Sequence, residues 1–99
     1  MKKYAMVFLW DAIPNGGSLN QVVDKILLYD TQEEAEKDLD EKWEEYFEEK
    51  VEIIKNIYGK NAITETNIKT GVINYTTDMN KHTVSSYDTY AVIIKEVEN

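Results

Sequence analysis

Carboxylates are the side chains most able to do chemistry in this chain. Eleven of them fall within the twenty residues "EEAEKDLDEKWEEYFEEKVE", from Glu33 to Glu52. Such groups can hold a hard cation, move a proton, or present phosphate-like charge to a basic partner. A calcium loop needs spaced Asp residues around a Gly, and the di-iron bundle signature needs Glu-x-x-His; neither pattern is present. His82 is the single histidine, so no paired-histidine metal site or phosphodiesterase motif can be built, and it reads as a surface residue. Ser18, Ser85 and Ser86 have no candidate base, and there is no cysteine to act as nucleophile, zinc ligand or disulfide partner. "YGKNA" around Gly59-Lys60 lacks the upstream glycine of a phosphate loop and reads as a helix end. The expectation is a binding protein, not an enzyme, with no metal and no cofactor.

The third role, phosphate-like charge, fits the spacing. Opposite-sign i,i+4 pairs in this segment number three: Glu33–Lys37, Lys37–Glu41 and Asp38–Lys42. Like-sign pairs such as Asp40–Glu44, Glu44–Glu48 and Glu45–Glu49 number seven. The excess costs on the order of 1–2 kcal/mol at low salt, which a surface serving only solubility has no reason to carry. From Glu33 to Lys55 the net charge is −7, out of −8 for the whole chain. On a helix the carboxylates recur about every 2.7 Å of axis, inside the range of about 1.7–3.4 Å that separates phosphates along duplex DNA. Glu36, Asp40, Glu41, Glu44, Glu45, Glu48, Glu49 and Glu52 are the residues expected to meet a groove lined with Lys and Arg.

Composition narrows the partner. All eleven basic residues are lysine, so the bidentate arginine contacts usual in nucleic-acid readout are missing, and direct binding of nucleic acid is not expected. At 99 residues the chain is expected to form one domain, 1–99, with enough buried surface to fold unaided. The apolar run from Tyr4 to Trp10 is too short for a signal peptide or a membrane span and lacks a small-residue cleavage site. A cytoplasmic location follows as the expectation.

The carboxylates must be carried by a helix, and its limits are well marked. Thr31 with Glu34 makes a capping box, Lys55 and Lys60 suit the C-terminal end, and Gly59 supplies a left-handed stop. Ala35, Leu39, Trp43, Tyr46, Phe47, Lys50, Ile54, Ile57 and Tyr58 form one apolar stripe, with the Lys50 stem as filler. The helix therefore spans about 31–58. Tyr46 reads as core, or as an aromatic anchor among the charges if it lies at the stripe's edge.

Around the helix the pattern is that of strands. "YAMVFLW", residues 4–10, is apolar on both alternating faces, as in a central strand covered at least partly on both sides. "QVVDKILLYD" fits a helical stripe from Leu19 to Leu27 with Ser18 and Gln21 as a capping box; its β-branched content and the nearness of the next helix favour a strand at 22–29. Further strands are expected near 62–69, 72–77 and 84–97, with turns at Thr70-Gly71 and Asp78-Met79-Asn80. The fold class is α+β: an antiparallel sheet of four to five strands packed by one long acidic amphipathic helix, in the order ββαβββ.

A second candidate surface is the loop "WDAIPNGG". Trp10 and Asp11, exposed beside Asn15, Gly16 and Gly17, would shape a notch for a small ligand; turn chemistry alone also accounts for the glycines.

Residues 15–39, "NGGSLNQVVDKILLYDTQEEAEKDL", are similar to a pattern of small phage and prophage proteins. Gly16 and Gly17 match its Gly-Gly loop; Asp30 and Thr31, followed by Glu33, Glu34 and Ala35, match its Asp-Thr and Glu-Glu-Ala helix start. The Lys-, Asn-, Ile- and Tyr-rich composition without Arg also looks like that of a low-GC bacterium or its phage. Small acidic proteins of that kind resemble the anti-CRISPR and anti-restriction inhibitors, several of which mimic nucleic acid. The resemblance implies an inhibitor acting in the host cytoplasm on the basic surface of a nucleic-acid-binding nuclease or defence effector. Two other readings stand beside it: a sponge for a nucleotide signal at the Trp10–Gly17 loop, and an accessory or structural phage protein without inhibitory role.

Overall fold

The computed structural model describes residues 2–13, 22–79 and 82–98. Its elements are β1 (Lys2–Ile13), β2 (Val22–Tyr29), α1 (Gln32–Tyr58), β3 (Ile63–Asn67), β4 (Val72–Met79) and β5 (His82–Glu98). Along the chain this is ββαβββ, and residues 22–29 are a strand. In space the five strands form one antiparallel sheet in the order β2-β1-β5-β4-β3. The long β5 joins the two hairpins, pairing with β1 from Lys2↔Glu98 to Ile13↔Tyr87 and with β4 from Val72↔Thr89 to Met79↔His82. Asp78 and Met79 belong to β4 and not to a turn: pairing with β5 continues through both.

Side-chain alternation divides the sheet into two faces. Met6 and Phe8 of β1, Ile73 and Tyr75 of β4 and Tyr90 of β5 meet Tyr46, Phe47 and Ile54 of α1 and form the core. Phe8 and Tyr46 lie 4.5 Å apart between ring centroids, and Tyr46 and Phe47 each present an edge or face to Tyr90. The opposite face carries Ala5, Val7 and Leu9 of β1, Val23, Ile26 and Leu28 of β2, and Ile93 and Val97 of β5 in adjoining registers. No element among the described residues covers it. The expectation of a central strand covered at least partly on both sides holds for β1. Met6 and Phe8 are buried under the helix, and Ala5 and Val7, on the other face, are also buried, although among the described residues the β2 and β5 side chains beside them stay exposed.

The helix ends follow their capping residues. Thr31 is extended (φ −131°) and its hydroxyl accepts from the Glu34 amide at 3.2 Å. At the other end the Gly59 amide donates to the Lys55 carbonyl at 2.8 Å. Gly59 has φ 107° and ψ 158°, a positive-φ extended state in place of the expected left-handed one. Beyond the sheet the apolar stripe loses its cover: Ile57 and Tyr58 are exposed, although Tyr58 stacks on Tyr75 at 5.1 Å.

Gly71 is fixed by close approach. It has φ 74°, its carbonyl accepts from the Tyr90 amide at 2.7 Å, and a Cβ there would lie 2.0 Å from the Tyr90 carbonyl oxygen. Only glycine lets the β3–β4 turn close onto β5 at this point. Trp43 completes the lock by donating its indole N–H to the Ile68 carbonyl at 2.8 Å.

Candidate functional site

The outer half of α1 is built by elimination. Once Ala35, Tyr46, Phe47 and Ile54 are turned inward, helical periodicity directs Asp40, Glu44, Glu48, Glu41, Glu52, Glu45 and Glu49 across the opposite half-turn. All eight expected residues, Glu36, Asp40, Glu41, Glu44, Glu45, Glu48, Glu49 and Glu52, are exposed. The helix has 27 residues, which makes a rod roughly 40 Å long.

Few of these charges are neutralised locally. Glu45 pairs with Lys42 at 3.5 Å and Glu52 with Lys55 at 3.6 Å, both at i,i+3 spacing. Glu36 accepts from the Gln32 side-chain amide at 3.0 Å. Among the described residues, Glu36, Asp40, Glu41, Glu44, Glu48 and Glu49 make no ion pair. The expected pairs of Lys37 with Glu33 and Glu41 do not form, and Asp38 turns instead to the Tyr29 hydroxyl at 3.3 Å. The Glu45 carboxylate holds the Lys42 ammonium above its ordinary pKa, a sign of the anionic field along this face.

Beside the helix's inner edge lies a groove of about 410 Å³, lined by Trp10, Asp24, Lys50, Ile53, Ile54, Ile57, Tyr58, Tyr75, Asp88 and Tyr90. Its two carboxylates come from two strands, Asp24 from β2 and Asp88 from β5. Asp24 lies where the β1–β2 register shifts opposite Phe8 and Leu9; it accepts from the Tyr46 hydroxyl at 2.8 Å and pairs with Lys50 at 2.6 Å. The Lys50 hydrogen bond is the main cause that holds the Asp24 carboxyl below its usual range. Lys50 also sits 5.1 Å from the Tyr46 ring centroid, so its ammonium is a ligand of the site and not only a filler stem.

Asp88 is buried, with 6% exposure, and each of its oxygens accepts one tyrosine hydroxyl, from Tyr75 and from Tyr90, both at 3.0 Å. Burial and then the Asp88 charge raise the pKa of both tyrosines well above the usual phenol value; burial and the Asp24 hydrogen bond do the same for Tyr46. The indole N–H of Trp10 is buried without an acceptor among the described residues.

The loop reading of Trp10 and Asp11 is corrected by this arrangement. Both are strand residues of β1, on opposite faces of the sheet; Trp10 is partly buried beside the groove and Asp11 is 4% exposed. Strand pairing extends past them to Ile13, which is why they do not form an exposed notch. Asn15, Gly16 and Gly17, Ser18 with Gln21, and the side chain of His82 lie outside the described residues. Tyr46, at 2% exposure, is core and not an anchor. Asp24, Tyr75, Asp88 and Tyr90 went unrecognised in the sequence. Their one signal was polar or phenolic residues at alternate positions of apolar strands, as in Asp88-x-Tyr90.

Among the described residues no group of three or more Asp, Glu or His side chains is arranged to hold a metal ion, and no helix is long and apolar enough to cross a membrane. Comparison with protein-family models, with curated proteins and with solved structures gives no match.

Proposed function

We propose that this protein is a phage-type inhibitor of a host nucleic-acid-binding defence protein, and that the outer half of α1 acts as its phosphate-like surface. The observation that supports the reading is the array of eight exposed carboxylates along one side of a long helix, six of them without an ion pair among the described residues. A Lys- and Arg-lined groove gains most from charges that are not already neutralised in the free protein. The rod's charge spacing matches a nucleic-acid backbone closely enough to replace it.

The test uses a tagged full chain against cells expressing defence nucleases, at about 50 and about 500 mM salt, where screening lengths differ roughly threefold. Capture of a nucleic-acid-binding enzyme at low salt, lost at high salt and competed by its DNA or RNA, is the expected outcome. Replacing Glu44, Glu45, Glu48 and Glu49 together with Gln is expected to abolish capture and leave folding intact. Inhibition that survives this replacement would sink the proposal.

The Trp10 groove supports a second reading, a small-ligand site. Its apolar wall of Ile53, Ile57 and Tyr58 suits an apolar or aromatic molecule with an acceptor for the Trp10 N–H, while Asp24 and Asp88 oppose phosphate. A thermal-shift screen separates the cases: stabilisation by cyclic dinucleotides would restore the nucleotide-sponge reading, and stabilisation by uncharged aromatics alone would favour the apolar site.

A further inference from the structure

The sheet face turned away from α1 is the largest apolar surface that the described part of the molecule leaves in water. Val23, Ile26 and Leu28 of β2 are 54%, 54% and 67% exposed, and Ile93 of β5 is 46% exposed. These four side chains alone present roughly 400 Å² to solvent, the scale of the largest patch on an ordinary monomer. They are contiguous through β1, since Val7 pairs with both Ile26 and Ile93. The patch is flat and aliphatic, and its central strand has its backbone groups paired on both sides, so it offers a polar ligand nothing to bond.

We infer that this face is the interface of a two-fold homodimer, in which two sheets stack face to face with the helices outermost. Charge selects a second copy as the occupant. The segment that carries most of the negative charge is on the far side of the sheet. The charges beside the patch are Lys95 and the mutually paired Lys3 and Asp30, which leaves no net negative charge there to draw a basic partner. A basic partner is drawn to the helix and away from this face. In an α-β-β-α stack, with layers about 10 Å apart, the two acidic helices lie roughly 30 Å from each other, about three screening lengths at 0.1 M salt. Self-association therefore escapes the repulsion that a net charge of −8 otherwise imposes.

Branched side chains on twisted sheets interdigitate at a small crossing angle, as in β-sandwiches, and Lys95 can carry its ammonium to the rim on its stem. With its rim, the paired patch covers roughly 1,000–1,400 Å² in total, at the lower bound of stable interfaces. The dimer is accordingly reversible, dissociating at about micromolar concentration. This inference does not rest on the proposed function, because it concerns the opposite face.

Sedimentation velocity of the full chain between about 1 and about 200 µM tests it over the range in which interfaces of this size dissociate. The mass is expected to rise from 11.5 kDa toward twice that value, and to do so equally in about 1 M salt, where charge contacts are screened. Ile26→Lys and Ile93→Lys are each expected to weaken association at least tenfold with unchanged near-UV circular dichroism. Leu28→Lys, at the most exposed position, serves if either fails to fold. A monomer at 200 µM overturns the inference. So does a dimer that Ile93→Lys leaves intact while Ile26→Lys breaks it, because that pattern marks pairing of β2 edges. A dimer indifferent to all three substitutions also overturns it, placing the interface elsewhere. Loss of the acidic-helix capture with dimerisation retained, or the reverse, tells the two proposals apart.

Discussion

The outer half of α1 and the open face of the sheet lie on opposite sides of the same two-layer molecule, and both are turned to water. One is crowded with like charges; the other is nearly all aliphatic. Neither composition is what folding alone would select, since the first costs repulsion and the second forgoes burial. Between them lies the interface that does hold the fold, where Met6, Phe8 and Ile73 are essentially fully buried against α1. Stability is thus concentrated in the middle, and the two outward surfaces are free to serve association of different kinds, one electrostatic and one hydrophobic.

The sharpest way to break this contrast is to cut equivalent side chains on the two faces of β1 and β2. Phe8→Ala, on the covered face, is expected to cost about 3–5 kcal/mol in denaturant unfolding, because it leaves a cavity beneath Tyr46. Ile26→Ala, on the open face, is expected to cost less than about 1 kcal/mol when measured well below the association range. Equal losses would mean that the open face is covered in the monomer.

Alkaline pH probes mainly the covered side, since the lysines with raised pKa values, Lys2 and Lys42, are in exposed pairs that contribute little. Tyr46, Tyr75 and Tyr90 all face that interface, and each has its native pKa raised from 10.0. Their contribution is fully present below the unfolded-state value and is lost as pH rises through the native values. Stability is expected to begin falling near pH 10, by up to about 4 kcal/mol per pH unit if all three stay protonated in the native state. A melting temperature constant from pH 9 to 11 would contradict that placement. Tyr75→Phe with Tyr90→Phe reduces the slope but strands Asp88 without its two donors.

A smaller effect belongs to the seam between β2 and α1. Asp24→Ala removes the partner of both Lys50 and the Tyr46 hydroxyl and is expected to cost about 1–3 kcal/mol at neutral pH. Because the native Asp24 carboxyl is held low, its contribution is present above the unfolded-state pKa and is lost as pH falls through the native value. The difference between wild type and variant should therefore shrink below about pH 4. A difference that does not change with pH would assign the loss to packing.

The smallest effect has the opposite sign. Neutralising Glu44, Glu45, Glu48 and Glu49 to Gln should stabilise the fold by about 0.5–1.5 kcal/mol at low salt, the relief of repulsion exceeding the lost Lys42–Glu45 pair. The gain should fade at about 0.5 M salt, as screening shortens. Destabilisation at low salt would show that the carboxylates support the fold and are not spare charge.

Much of this architecture was legible because it rests on local signals. The period of the apolar stripe, Thr31 and Gly59 gave α1 nearly to the residue, and Thr70-Gly71 gave the β3–β4 turn. Strand ends differ from the expectation in both directions: β1 and β5 run beyond 4–10 and 84–97, while β3 is Ile63–Asn67 and stops short of 62–69. Pairing with a long neighbour extends β1 through Lys2, Lys3 and Asp11, residues whose own preferences would end it. The acidic face was legible because exposure on a helix follows from which residues the core takes. The groove was not, since Asp24 and Asp88 lie 64 positions apart and meet α1 from two different strands.

What the sequence determined by itself was the helix, its charge and the α+β class, because each depends on residues within a few turns of one another. Only the tertiary structure decided which face of β1 would be covered. "YAMVFLW" is apolar on both faces, and an alternating pattern states that two surfaces want cover without stating how many layers exist to provide it. One helix can cover one face. The fold gave the helix to the aromatic side, where Phe8 packs with Tyr46 and Tyr90, and left Val23, Ile26, Leu28 and Ile93 of the aliphatic side exposed.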